Sequence, residues 1–100
     1  MSNTQATPPN LFPLGKTVLT RNAKDFLDAN GIDPLPYLLR HANGDWSEMC
    51  HEDQVTNRNA IRDGFRVFSS YKLPTEEEQN VWIITEADRS STTILLPEDY

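Results

Sequence analysis

The stretch FRVFSSYKLPTEEEQNVWIITEADRSSTTILL, residues 65–96, decides the fold of this chain. It contains three runs of aromatic and β-branched residues, at residues 65–71, 81–85 and 92–96. Runs of this composition, separated by clusters of turn-forming residues, are typical of β-strands. The stretch therefore predicts a three-stranded antiparallel meander in the last third of the chain.

The earlier part of the chain shows mainly helical spacing. Residues 16–20 (KTVLT) form a candidate strand. After it, apolar residues recur three and four positions apart, as on one face of a helix, and glycines mark the ends of the predicted helices. This pattern predicts three helices, at residues 22–30, 34–42 and 51–63. The predicted fold is α+β in the order β-ααα-βββ, with a mostly antiparallel sheet of three or four strands and helices packed on one face.

Two features of the predicted elements concern polar groups. The third helix has poor apolar periodicity, and its most plausible inward face includes Asn57 and Ala60. A buried amide must find hydrogen-bond partners, so we expect Asn57 to be partly buried and to bond the backbone of the preceding loop. In residues 65–72, alternation places Phe65, Val67, Ser69 and Tyr71 on one side and Arg66, Phe68, Ser70 and Lys72 on the other, so one face of the sheet can be solvated.

Length and charge limit the classes of function. The 100 residues allow one domain, which we assign to residues 14–100 after a flexible, Pro-rich tail of residues 1–13. Fifteen acidic against nine basic side chains give a net charge of −6, which argues against broad nucleic-acid affinity. We also expect a cytoplasmic protein with no membrane partner, because there is one cysteine, no targeting signal and no long apolar run.

Most of the acidity lies in the last quarter of the chain. Glu76, Glu77 and Glu78 stand between two predicted strands, and Glu98 and Asp99 come near the end. Together they can form an acidic surface for a basic partner. The alternative is a solvated loop and tail that keep the protein in solution.

Other positions are candidates for partner binding. Trp46 follows a helix stop and is either a surface anchor or a side chain that closes the core under a loop. Asp88 and Arg89 lie between the last two predicted strands, in either a structured turn with a local ion pair or a binding loop. We assign Trp82, inside an apolar strand, to packing.

Arg58, Arg62 and Arg66 follow one another at intervals of four residues. Neither arginine of the predicted helix has an acidic residue three or four positions before it, so the row needs partners from elsewhere. Asp88 or the loop at residues 76–78 can supply them. The alternative is a stripe that contacts the phosphates of a nucleic acid.

Metal binding and catalysis have little support in the sequence. His41, Cys50 and His51 are possible ligands, but their spacing is not that of paired zinc ligands. Cys50 next to His51 is a weak indication of an activated thiol. The alternative is that Cys50 is a small residue at or beside the N-cap of the third helix. Because no Gly-rich phosphate loop, nucleophile elbow or paired-carboxylate motif is found, we expect no catalytic residue, no metal and no cofactor.

Segments 38–71 and 81–100 together resemble a family of short proteins from bacterial plasmids, prophages and integrated elements. The matching motifs are GDW (residues 44–46), ITEADRS (84–90) and TTILLP (92–97). Some members carry the label of a type I restriction methyltransferase subunit, but this chain has neither a Gly-rich cofactor motif nor an Asn-Pro-Pro-Tyr motif. Relatives tend to have an acidic residue where this chain has Cys50.

These observations and the resemblance predict a non-enzymatic accessory protein of a mobile element that binds another macromolecule, most simply a protein. Inhibition of a host defence system, restriction or CRISPR, fits a small acidic protein, because carboxylates can replace phosphates in a basic nucleic-acid channel. The alternative function is a small nucleic-acid-binding or regulatory module that uses the three arginines.

Overall fold

The computed structural model describes residues 10–100 and confirms the α+β fold in the predicted order. Strand β1 (Lys16–Leu19) is followed by helices α1 (Arg21–Ala29), α2 (Leu35–Ala42) and α3 (His51–Asp63). Strands β2 (Val67–Lys72), β3 (Asn80–Thr85) and β4 (Ser91–Leu95) come next, and a 3₁₀ turn (Pro97–Asp99) ends the chain. Among residues 10–100, no helix has the length and apolar character that crossing a membrane requires.

The four strands form one sheet in the order β1-β4-β3-β2. The meander is antiparallel as predicted, with Ile83 opposite Ser69 on one side and opposite Ile94 on the other. Strand β1 pairs with β4 in parallel, with Lys16 opposite Ser91. The sheet is therefore mostly antiparallel, and β1 and β2 are its two edges.

The helices cover one face of the sheet. The larger core cluster lies between α1 and the central strands and is formed by Leu27, Tyr71, Leu73, Val81, Ile83 and Ile94. A second cluster joins α3 to β2 and is formed by Phe12, Trp46, Ala60 and Val67. Both clusters use the odd-numbered positions of β2 and β3, so the even-numbered positions face away from the helices.

The start of α1 and the end of α3 follow the expected capping chemistry. Thr20 precedes α1, and its hydroxyl accepts a hydrogen bond from the Ala23 N–H at 3.2 Å. Helix α3 ends at Gly64, whose φ of 78° is left-handed. The Phe65 N–H then bonds the Ala60 carbonyl, which closes the helix and delays β2 by two residues relative to the predicted start at residue 65.

The predicted tail of residues 1–13 lies outside the described residues up to position 9. Its last part is not a tail, because Phe12 is buried in the second core cluster. The Leu11 N–H also donates to the Ala42 carbonyl at 2.9 Å, which fastens this segment to the end of α2. The ordered domain therefore begins before residue 14.

Candidate functional site

His41, one of the possible metal ligands, is fully buried under the helices. Its Nδ1 lies 2.5 Å from the Ser69 hydroxyl, and its Nε2 lies 2.8 Å from the Thr85 hydroxyl. The ring of Phe12 packs edge-on against the imidazole. Both ring nitrogens are thus occupied by neutral hydroxyl groups of the sheet.

The hydrogen-bond chain around His41 has one possible direction. Its far end is the Leu14 carbonyl, which can only accept, so the Thr92 hydroxyl donates to it at 2.7 Å. The Thr85 hydroxyl must then donate to Thr92, and the imidazole Nε2–H must donate to Thr85. These donors assign neutral His41 to the Nε2–H tautomer, with Nδ1 accepting from Ser69.

The surroundings of His41 keep it neutral. Burial lowers its pKa to about 3, because the apolar core disfavours the imidazolium form. Cys50, in contrast, is exposed at the start of α3. Within residues 10–100, the structure brings together no three His, Cys, Asp or Glu side chains that could hold a metal ion.

Trp46 belongs to the core, as the packing interpretation predicted. It is 3% exposed, and its indole N–H donates to the Ser69 hydroxyl at 2.8 Å. This side chain therefore offers almost no surface to a partner. Its indole N–H is the first donor in the chain of hydrogen bonds that reaches His41 through Ser69.

Arg89 fastens the β3–β4 turn to the end of α3. Its φ is 62°, and its guanidinium donates to the carbonyls of Phe65 at 2.6 Å and Ala60 at 3.1 Å. The predicted ion pair with Asp88 is not formed, since the Asp88 carboxylate accepts from the Ser90 N–H instead. The turn is thus a structured one, and Arg89 stabilises it.

Four of the five carboxylates of the predicted acidic surface lie at one end of the sheet. Glu76, Glu77 and Glu78 are exposed in the loop before β3, and Glu98 is brought to the same end by a 3.2 Å bond from the Gln79 side chain. Residues 86–88 lie beyond the other end of β3. The structure therefore divides the acidity between the two ends of the sheet.

Asp99 is engaged within the fold. Its carboxylate accepts from the Thr20 hydroxyl and the Asn22 amide, both at 2.7 Å, and from the Leu96 N–H at 3.1 Å. The bonds from Thr20 and then Asn22 lower its pKa. Asp99 thus ties the end of the described chain to the start of α1.

The arginine row is partly neutralised, though not by the predicted residues. Arg62 pairs with its neighbour Asp63 at 2.9 Å. The Arg66 guanidinium lies 3.5 Å from the Glu86 carboxylate and donates to the Tyr100 hydroxyl at 3.2 Å. Both contacts are exposed, so they do not remove the arginines from solvent. They do show that Asp88 and the loop at residues 76–78 are not the partners.

The sheet face opposite the helices, which we call the open face, carries apolar side chains across all four strands. The strand register places one row across the sheet from Phe68 through Ile84 and Thr93 to Val18. A second row contains Trp82 and Leu95. The rings of Phe68 and Trp82 meet edge to face at 5.1 Å, and the Tyr100 ring packs on Trp82 at 5.7 Å, so the end of the described chain covers part of the open face.

A groove of about 750 Å³ lies where the open face meets the start of α3. The sheet contributes Phe68, Ser70 and Trp82, and the loop and first turn of α3 contribute Met49, Cys50 and Asp53. The groove combines the apolar side chains of Phe68 and Trp82 with the charged side chains of Glu48, Asp53 and Lys72. Cavities of this size are in the range that small ligands and peptide side chains occupy.

Asn57 is buried, as expected, but its partner is not the preceding loop. Its amide donates to the Phe68 carbonyl at 2.6 Å and accepts from the Phe68 N–H at 3.1 Å. Both bonds go to the outer edge of β2, where a further strand would pair. The loop contributes only a long contact of 3.9 Å to the Met49 sulfur.

Reasoning from the sequence missed the groove. Alternation in β2 puts Phe68 and Ser70 on the same side without deciding which side is solvated, and the apolar strand VWIIT predicts packing for Trp82. Strict alternation along this strand puts Trp82 and Ile84 opposite Val81 and Ile83, and that signal could have indicated an apolar open face.

Comparison of the chain with protein-family models, with curated proteins and with solved structures finds no match.

Proposed function

We propose that this protein is a non-enzymatic accessory protein of a mobile genetic element and acts by binding another protein through its open face. One observation carries the proposal: the half-buried rings of Phe68 and Trp82 meet edge to face on the open face, which helices α1, α2 and α3 leave uncovered. An antiparallel sheet with one solvated face normally has polar side chains there. An exposed apolar surface on a small domain commonly marks a site of protein interaction.

The charges near the open face favour a basic partner. Asp53, Glu48 and Lys72 line the groove, and Glu48 is paired with Arg40 at 2.9 Å, so Asp53 is the carboxylate of the groove that a partner can pair with. The exposed carboxylates of Glu76, Glu77, Glu78 and Glu98 lie at the same end of the sheet as Lys72 and Asn80. A second copy of this chain would bring another six negative charges to the same surface, whereas a basic protein would be attracted to it.

The identity of the partner is a narrower proposal. The resemblance to proteins of mobile elements favours a host protein, and a defence enzyme that holds nucleic acid in a basic channel has the required charge. Carboxylates that occupy such a channel would compete with phosphates. Inhibition of restriction or of a CRISPR effector is the activity that this mode of binding supports.

The test uses two matched pairs of variants. Asp53→Lys and Glu52→Lys make the same charge change in the same first turn of α3, but only Asp53 lines the groove. Phe68→Ala and Phe65→Ala remove the same ring, from the open face and from an exposed position before β2. Each variant is first checked for folding by circular dichroism and then used to capture proteins from bacterial lysate.

The proposal requires capture of one protein that Asp53→Lys and Phe68→Ala abolish and that Glu52→Lys and Phe65→Ala retain. Capture that survives both groove variants would contradict it, even if a protein is found. For the narrower proposal, the purified protein is added to a type I restriction enzyme or a CRISPR effector acting on its DNA target. Unchanged cleavage in both assays would remove that part while leaving the binding function intact.

A further inference from the structure

Strand β2 is an edge strand, and its backbone groups alternate in direction. The Leu73 N–H donates to the Gln79 carbonyl across the β2–β3 pair, so odd-numbered residues of β2 bond β3. The N–H and C=O groups of Phe68, Ser70 and Lys72 consequently point away from the sheet. Such groups on an edge are a template for pairing with another chain.

Two side chains close this edge on either side of Ser70. The Asn57 amide bonds both backbone groups of Phe68, as a neighbouring strand would. The Glu48 carboxylate accepts from the Lys72 N–H at 2.8 Å. Within residues 10–100, no hydrogen bond from the Ser70 N–H is formed, and Ser70 lines the groove.

We infer that the groove takes a short, extended, basic segment of the partner protein, whose main chain pairs with β2 at Ser70 alone. This inference rests on the proposed function and names the part of the partner that the open face binds. Main-chain pairing at a sheet edge supplies affinity, and pockets for alternate side chains supply specificity. Here the edge offers one bridge, because Asn57 and Glu48 already occupy the positions on both sides.

The geometry also specifies the side chains of the segment. The residue that pairs with Ser70 and those two positions away point to the open face, and the residues directly beside it point to the helix side. Those on the open-face side contact Phe68 and Trp82, which favour an apolar or aromatic side chain. A neighbouring Lys or Arg can reach the carboxylate of Asp53 at the groove wall. We expect segments of about three to five residues that combine one apolar and at least one basic side chain.

The experiment selects heptapeptides from a random library on the intact wild-type protein. The best peptide is then measured against Ser70→Pro and Ser70→Ala by isothermal titration calorimetry. Proline removes the outward N–H without breaking a bond to β3, because that N–H belongs to the free side of an edge strand. Alanine keeps the N–H and removes only the hydroxyl.

Selected peptides should be basic with an apolar residue, and Ser70→Pro should weaken their binding at least about fivefold, whereas Ser70→Ala should change it less than about twofold. Acidic peptides, or equal affinity for Ser70→Pro and wild type, would overturn the inference. If Ser70→Pro does not fold, the readout is the Ser70 amide of ¹⁵N-labelled wild-type protein. Its hydrogen exchange should slow on peptide binding, and an unchanged rate would overturn the inference.

Failure of this inference is distinguishable from failure of the proposed function. If the captured partner depends on Asp53 and Phe68 but binds Ser70→Pro normally, the open face is the docking site and its main-chain bridge is not used. If neither peptide nor partner depends on any residue of the groove, both proposals are wrong.

Discussion

At the scale of single residues, Asn57 supplies the hydrogen-bond partners that the outer edge of β2 would otherwise lack at Phe68. A primary amide has one donor group and one acceptor in the same arrangement as a backbone peptide, so it can bond both groups of Phe68. Asn57 is 3% exposed, and solvent cannot replace these bonds. The burial of Asn57 was predictable from its place on the inward face of α3. Its partner was not, because α3 and β2 form their contact in three dimensions.

Replacement of Asn57 should therefore destabilise the protein strongly. Asn57→Ala leaves both Phe68 groups without a partner, and we expect a loss of about 2–3 kcal/mol in the free energy of unfolding. Asn57→Asp keeps the acceptor but places an oxygen against the Phe68 carbonyl, so its loss should be at least as large. Urea denaturation at pH 7 measures both. A loss below about 0.5 kcal/mol in either variant would show that the Phe68 bonds contribute little.

His41 makes stability depend on pH in a defined window. Its pKa is lowered to about 3 in the folded protein from an ordinary value of 6.5, so below about pH 6.5 the unfolded chain binds a proton that the folded one does not. Stability is therefore fully present above pH 6.5 and falls by about 1.4 kcal/mol per pH unit toward pH 3. Between pH 7 and 5 the loss should be about 2 kcal/mol, measured by urea denaturation at both values.

The matched control is His41→Gln, whose amide can donate and accept but does not titrate in this range. It should lower stability at pH 7 and remove most of the difference between pH 7 and 5. Carboxylates contribute little in this window, since their unfolded values lie near pH 4. An undiminished pH dependence in His41→Gln would assign the effect to other groups.

At the scale of elements, how much could be predicted depended on whether a signal was local. Gly64 ended α3 where expected, because a left-handed helix stop needs only the residues beside it. The parallel pairing of β1 with β4 was not predicted, since register between Lys16 and Ser91 is set by packing across the whole chain. The apolar open face was hidden for another reason: the strand VWIIT is apolar at four successive positions, so its sequence does not tell the covered face from the open one.

The start of α3 can be improved by one substitution. Cys50 occupies the N-cap with extended backbone angles, and its side chain makes no capping hydrogen bond. An aspartate there can accept from the free N–H groups of the first turn, so Cys50→Asp should raise the free energy of unfolding by about 0.5–1 kcal/mol. Cys50→Ala is the control and should not stabilise. Thermal melting compares the three proteins, and an unchanged or lower Tm for Cys50→Asp would contradict the assignment of this cap.

Asp99 and Glu98, neighbours in the C-terminal turn, should contribute differently to thermal stability. Asp99 accepts three hydrogen bonds, two of which connect the turn to the start of α1, whereas Glu98 accepts one bond, from the Gln79 side chain. Asp99→Ala should therefore lower the Tm clearly, and Glu98→Ala should leave it nearly unchanged. Equal effects of the two substitutions would show that the contact between the turn and α1 does not contribute to stability.

At the scale of the whole molecule, the net charge opposes self-association and the apolar open face favours it. The described domain measures 36 × 35 × 26 Å, close to the Debye length of about 30 Å at 0.01 M salt. At low salt, two copies therefore repel through nearly their whole net charge of −6, whichever faces approach. At 1 M salt the Debye length is about 3 Å, and only the apolar contact remains.

We therefore expect self-association and partner binding to respond to salt in opposite directions. Sedimentation equilibrium should find a monomer at 0.01 M salt and increasing association at about 1 M, where the open faces can pack together. Trp82→Ala should reduce that association and Phe65→Ala should not, because only Trp82 lies on the open face. Binding of a basic partner should instead weaken as salt rises, since it depends on attraction between opposite charges. A dimer that is stable at low salt and dissociates as salt rises would identify a second copy, rather than a basic protein, as the occupant of the open face.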